Sequence, residues 1–102
     1  MPKIGEIKAL GHEIELMAVR YGNGRPAIVM ADKEDGLPFG NLSTNLPDVH
    51  LGQNEIFIKT WSENNSLRQP ALDSGLFRDT GRRVPVGHAE AEVWEMTFSF
   101  PR

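Results

Sequence analysis

The chain has 102 residues, of which 39% are hydrophobic and 25% are charged, and its formal net charge is −3. Length and composition are those of an ordinary globular protein, so we expect residues 1-102 to form a single domain. The excess of acidic residues argues against a broad phosphate-binding surface, and therefore against direct nucleic-acid binding. Because the chain contains no cysteine, disulfides, thiolate zinc sites and cysteine nucleophiles are excluded.

The first half of the chain is typical of antiparallel strands. In the clearest of them Ile14, Leu16 and Ala18 alternate with more polar residues, which predicts a strand with one wet face. Glycine-containing turns at Gly11-His12 and 22–24 separate the first three strands. The predicted strands are Lys3 to Leu10, Glu13 to Tyr21, Arg25 to Met30 and, after an exposed turn at 32–38, Phe39 to Leu46. No apolar run in the N-terminal segment resembles a signal peptide or a membrane span, so we expect a cytoplasmic protein without membrane contact.

A helical segment follows a fifth strand, Glu55 to Thr60. Ser62 is suited to cap the first turn of the helix, and Glu63 places a negative charge near the positive end of the helix dipole. Gly75 can adopt the left-handed conformation that ends a helix. Pro70 interrupts this segment, which predicts a kink or a short turn followed by a second helix near that proline.

The last part of the chain predicts a turn at 79–81, an extended piece at 84–86 and a final strand from Glu90 to Phe100. Apolar residues change from odd to even positions within that strand, which predicts a β-bulge near Val93-Trp94. The expected fold is therefore α+β: a twisted antiparallel sheet of about five or six strands with one short helical segment packed on it.

Motifs for catalysis or cofactor binding are weak. The stretch 22–27, GNGRPA, matches a relaxed dinucleotide fingerprint, but a strand pattern follows it, so a hairpin turn is favoured. The three histidines lie far apart without metal-ligand spacing, and no serine occupies a nucleophile elbow. We therefore predict no catalytic residue, no metal and no cofactor.

Charged clusters supply the candidate binding residues. Glu90, Glu92 and Glu95 would lie near Glu13 and Glu15 if their strands pair. Such a group is a solvated acidic face, a carboxylate pair for acid-base chemistry, or a ridge that attracts a basic partner.

The arginines Arg78, Arg82 and Arg83 flank a predicted turn, and such a loop is either solvated or able to grip a carboxylate or phosphate. Trp61 would become an interface anchor if it is exposed. Asn64 and Asn65 are either first-turn residues or exposed amides suited to contacting a protein.

Three stretches carry a resemblance: residues 21–48, which include NLPD, EIFIKTWSENN at 55–65, and LFRDTGRRVPVGHAEAEVWEM at 76–96. They resemble a family of small uncharacterised bacterial proteins found on plasmids, prophages and other mobile elements. The resemblance implies a genetic setting but no activity, cofactor or catalytic residue. Small acidic proteins in that setting often inhibit host defences, CRISPR systems included.

The leading expectation is a non-enzymatic protein-protein interaction module, an anti-CRISPR-like inhibitor that covers a surface of its protein partner. The alternatives are a small enzyme with paired carboxylates and a nucleic-acid binder that uses the Arg78-Arg83 loop. The sequence does not indicate the oligomeric state.

Overall fold

The structure is a computed structural model, and it describes residues 2–101. It contains seven β-strands, one 3-10 helix and one short α-helix. In chain order these are β1 (Lys3–Ala9), β2 (His12–Arg20), β3 (Pro26–Asp32), β4 (Pro38–Asn41), β5 (Glu55–Lys59), the 3-10 helix (Ser62–Leu67), α1 (Arg68–Asp73), β6 (Phe77–Val86) and β7 (Ala89–Met96).

The predicted α+β class with antiparallel strands is confirmed, but the strands form two sheets. The first sheet has the order β1-β2-β3-β4 and the second has the order β5-β7-β6. Every pairing is antiparallel. In the first sheet Ile14, Leu16 and Ala18 all point into the core, as their period of two predicts.

The segment that follows β4 connects the two sheets. The Leu42 N–H donates to the carbonyl oxygen of Ile28 in the first sheet at 3.0 Å, and the Leu42 carbonyl accepts from the Lys59 N–H in the second at 2.9 Å. Ser43 forms an isolated bridge with Ile58. One hydrophobic core therefore contains side chains from both sheets, among them Leu16, Ile58 and Trp94.

The predicted turn at 79–81 is instead an irregularity within one long strand. In β6 the residues from Asp79 to Arg83 lie opposite only the residues from Trp94 to Glu92 of β7, so β6 carries the extra residues of a bulge. Gly81 has a φ of 85° there and its N–H is held by the Asp79 carboxylate. The turn-forming residues of this segment thus form a bulge, because the chain continues as a β-strand on both sides of them.

The β-bulge predicted near Val93-Trp94 is wrong, because β7 pairs with β5 in unbroken register. Trp94 belongs to the main core, whereas Val93 packs in a second cluster with Phe57 and Val84. The loop between the sheets covers that second cluster with Leu46, Val49 and Leu51. Both faces of β7 are therefore buried, and this explains apolar residues at odd and even positions without a bulge.

The helical segment is divided, as Pro70 predicts, into a 3-10 helix and α1. Pro70 is the third residue of α1, where its missing N–H costs no helical hydrogen bond. Gly75 ends the segment with a φ of 79°, as expected. The capping role predicted for Ser62 is wrong: Ser62 has a φ of 57°, the N-cap is Trp61, and no side chain caps the helix.

The helix α1 contacts both β1 and β6. Within residues 2–101 no helix has the length and apolar character needed to cross a membrane.

Candidate functional site

Two adjacent turns at one end of the first sheet present exposed leucines. Leu10 lies in the β1–β2 turn and is 57% exposed, and Leu37 lies just before β4 and is 61% exposed. Within the part of the chain that the structure describes, these are the two large hydrophobic side chains left exposed. We call residues 8–13 and 32–37 the leucine tip.

Polar contacts hold the two turns of the leucine tip together. The Lys33 N–H donates to the Glu13 carbonyl at 2.9 Å, and the Asp32 N–H donates to the Leu37 carbonyl at 2.9 Å. His12 Nδ1 lies 2.7 Å from Asp32 Oδ2, and the His12 ring lies 5.4 Å from that of Phe39. The Glu34 backbone N–H, together with His12, lowers the pKa of Asp32. The tip is thus fixed by contacts that do not involve the two leucine side chains.

The backbone at Leu10 is in an unfavourable conformation. Leu10 has a φ of 55° and Gly11 a φ of 76°, and the pair Ala9–His12 closes the two-residue loop between them. Positive φ at both positions defines a type I′ turn, which favours Asn-Gly. A leucine in the left-handed region costs roughly 1–2 kcal/mol relative to ordinary helical backbone.

Two of the predicted site residues, Glu92 on β7 and Arg83 on β6, belong to a network of ion pairs that includes Arg68 of α1. Glu92 is 8% exposed, and its carboxylate accepts hydrogen bonds from Arg68 Nε at 2.9 and 3.1 Å and from Trp94 Nε1 at 2.9 Å. Arg83 donates two hydrogen bonds of 2.8 Å to Asp79 and lies 3.4 Å from Glu92. This group of Arg68, Asp79, Arg83, Glu92 and Trp94 is the Glu92 network. It fixes α1 to the second sheet.

The other charged candidates are separate from this network. Arg78 pairs with Glu95 at the surface at 2.5 Å. Arg82 donates to the His50 carbonyl at 2.6 Å and lies 3.6 Å from Glu55. Glu90 is exposed. The sequence placed the glutamates of β7 near Glu13 and Glu15 only if β7 paired with β2. Strand β7 pairs with β5 and β6 instead, so Glu90, Glu92 and Glu95 do not join Glu13 and Glu15.

The amide-rich stretch after β5 divides into one structural and two surface residues. Asn64 is 3% exposed, and its Nδ2 donates to the Asn41 carbonyl at 2.7 Å, so the interpretation of Asn64 as an exposed contact amide is wrong. Asn65 is exposed. Trp61 is partly exposed, with Lys59 Nζ 5.8 Å from the ring centroid.

The sequence did not predict the leucine tip, because the first turn was placed one residue too late, at Gly11-His12. The apolar pattern contains the signal that corrects this. Ile7 and Ala9 must face the same core as Ile14, and that register leaves Leu10-Gly11 as the two-residue loop. The sequence around Leu37 predicted an exposed turn but did not mark this leucine as a contact residue.

Potential metal ligands do not converge within residues 2–101, since no group of three or more His, Asp or Glu residues is arranged to hold an ion. Comparison with protein-family models, curated proteins and solved structures finds no match to this chain.

Proposed function

We propose that this protein is a non-enzymatic interaction module that docks on a protein partner through the leucine tip. The observation that carries the proposal is the exposure of Leu10 and Leu37 on adjacent turns that are already fixed by polar contacts. Exposed apolar side chains on a rigid support are well suited to fill pockets on a partner, because little conformational freedom is lost on binding.

The conformation of Leu10 supports the same conclusion. The fold gains little from this leucine, since most of its side chain is exposed and its backbone is strained. An asparagine would satisfy the turn better. Strained residues of this kind cluster at ligand contacts, where the surrounding structure holds them in place.

The charge of the leucine tip indicates the chemistry of the partner. The tip contains Lys8 and Lys33 against Glu13, Asp32, Glu34 and Asp35, so two positive and four negative charges give a net −2. Both lysines already lie within 4.0 Å of Glu13. A complementary partner surface therefore has apolar pockets for the leucines and a basic rim.

A basic rim is typical of surfaces that bind nucleic acids. Together with the resemblance to proteins of mobile elements, this favours a host nucleic-acid-binding protein as the partner. The proposed activity is inhibition of a host defence system, anti-CRISPR-like, by covering that surface. The ion pairing of Glu92, Glu95 and Arg83 adds no support to the alternatives of a carboxylate enzyme or a nucleic-acid binder.

The experiment compares capture of partners from nuclease-treated bacterial lysate by immobilised wild type and variants. The double variant Leu10→Asn/Leu37→Ser should lose a partner that wild type retains, whereas Trp61→Ala should retain it. The captured protein should also cross-link to a photoreactive group placed at position 37. Loss of capture by Trp61→Ala with full capture by the double variant would overturn the leucine tip as the docking site. If folded, monodisperse wild type retains no partner, the interaction function itself is contradicted.

A further inference from the structure

The opposite end of the first sheet borders a cleft with a volume of about 640 Å³. Its walls are the β2–β3 turn, the loop before β5 and the segment after β7. Because turns alternate between the ends of a meander, this cleft lies at the other end of the sheet from the leucine tip. The residues that matter for its chemistry are Arg20, Arg25, Leu51, Asn54, Met96 and Phe100.

Two arginines of the cleft differ from the arginines of α1 and β6 in their partners. Arg20 donates to the carbonyls of Gly24 and Pro101, and Arg25 donates twice to the carbonyls of Leu46 and Val49. Neither has a carboxylate partner among residues 2–101, whereas Arg68, Arg78, Arg82 and Arg83 each do. Each guanidinium has five N–H donors, so two bonds to carbonyls leave three donors on Arg20 and three on Arg25.

Both guanidinium groups are also oriented by aromatic rings. The Arg20 guanidinium lies 4.8 Å from the Phe100 ring centroid, and that of Arg25 lies 5.9 Å from that of Phe57. The nearby Glu55 carboxylate accepts the Gly52 N–H at 2.7 Å and lies 3.6 Å from Arg82, so it is already engaged. The cleft is therefore a positively charged concavity on a chain whose formal net charge is −3.

We propose that this cleft binds a small organic anion, whose carboxylate or phosphate head pairs with Arg20 and Arg25. The apolar body of the ligand packs against Leu51, Met96 and Phe100, and Asn54 also lines the cleft. Planar guanidinium groups recognise carboxylate and phosphate oxygens through paired hydrogen bonds. The cleft volume lies within the range of ligand sites.

The test measures binding of four probes to the full chain by NMR chemical-shift titration: phenyl phosphate, benzoate, inorganic phosphate and neutral benzamide. We expect shifts around Arg20, Asn54 and Phe100 with phenyl phosphate or benzoate, and none with benzamide. The stronger of the two anions identifies the preferred head group. Weaker binding of inorganic phosphate is expected because it lacks the apolar body.

Variants assign the binding to the cleft. Arg20→Gln should weaken the preferred anion by about tenfold or more, and Arg20→Lys, which keeps the charge without the fork, by an intermediate factor. Arg78→Gln makes the same change in net charge outside the cleft and should leave the affinity within about twofold. Equal losses in Arg20→Gln and Arg78→Gln, shifts scattered over the surface, or equal binding of benzamide would each overturn the proposal.

This inference goes beyond the proposed function, and the two are separable. The variant Leu10→Asn/Leu37→Ser should bind the anion as wild type does, and Arg20→Gln should still capture the protein partner.

Discussion

The Trp94 indole N–H donates a hydrogen bond of 2.9 Å to the carboxylate of Glu92, a residue on the same face of the same strand. Trp94 is fully buried in the main core, and Glu92 is also bound by Arg68 at the start of α1. The central strand of the second sheet therefore orients a buried carboxylate, and this carboxylate fixes the helix to the sheet. A side chain with this many partners has a structural role.

Glu92→Gln should destabilise the protein by about 2 kcal/mol, because charge-assisted hydrogen bonds are lost and Arg68 and Arg83 then share Asp79 alone. Urea unfolding followed by tryptophan fluorescence measures the change. The matched control is Glu90→Gln, a substitution of an exposed residue near the start of β7, which should change stability by no more than about 0.5 kcal/mol. Similar losses in both variants would contradict the structural role of Glu92.

Local signals predicted much of the fold. Period-two alternation identified the inward face of β2, and Pro70 and Gly75 marked the division and the end of the helical segment. Each of these features depends on residues that are close in sequence, so the local sequence is enough to predict it.

The pairing partners of distant segments were not predictable in this way. Glu92 and Arg68 are 24 residues apart, and nothing in either local sequence indicates the other. The turn signal at 79–81 was correct as a backbone preference, but pairing with β7 converted it into a bulge. The exposure of Leu10 was not predicted, because a one-residue error in turn placement assigned Leu10 to a strand.

Asn64→Ala should cost about 1–2 kcal/mol, because the Asn41 carbonyl loses its donor and the buried amide leaves a small cavity. Asn65→Ala, one residue further on, is the control and should change stability by less than about 0.5 kcal/mol, since Asn65 is exposed. Thermal and urea unfolding of the two variants measure this difference. An unchanged Asn64→Ala variant would mean that the hydrogen bond to Asn41 does not stabilise the fold.

Leu10→Asn should stabilise the protein by about 1 kcal/mol, because asparagine tolerates the left-handed backbone of a type I′ turn. Leu10→Ala retains a Cβ at the same positive φ and should leave stability within about 0.5 kcal/mol of wild type. Urea unfolding curves of the three proteins provide the comparison. A gain in stability that accompanies loss of partner capture would separate the binding role of Leu10 from its effect on the fold. Destabilisation by Leu10→Asn would show that the turn does not strain this leucine.

Asp79 should give the protein a distinct sensitivity to acid. Hydrogen bonds from Arg83, supported by the Gly81 N–H and the charge of Arg68, lower the pKa of Asp79 from 3.8 to about 2. The unfolded chain therefore takes up this proton before the folded protein does. The stabilisation is complete above the unfolded pKa and is lost as the pH falls through the interval from 3.8 to about 2.

The measurement is the free energy of unfolding of wild type and Asp79→Asn at several pH values from about 6 to about 2. Wild type should be the more stable protein at neutral pH, and the difference between the two should shrink steadily below about pH 4. Asp48→Asn, a substitution of an exposed residue in the loop before β5, controls for the loss of one carboxylate. A difference between wild type and Asp79→Asn that stays constant over this range would contradict a lowered pKa, because protonation would then affect the folded and unfolded chains equally.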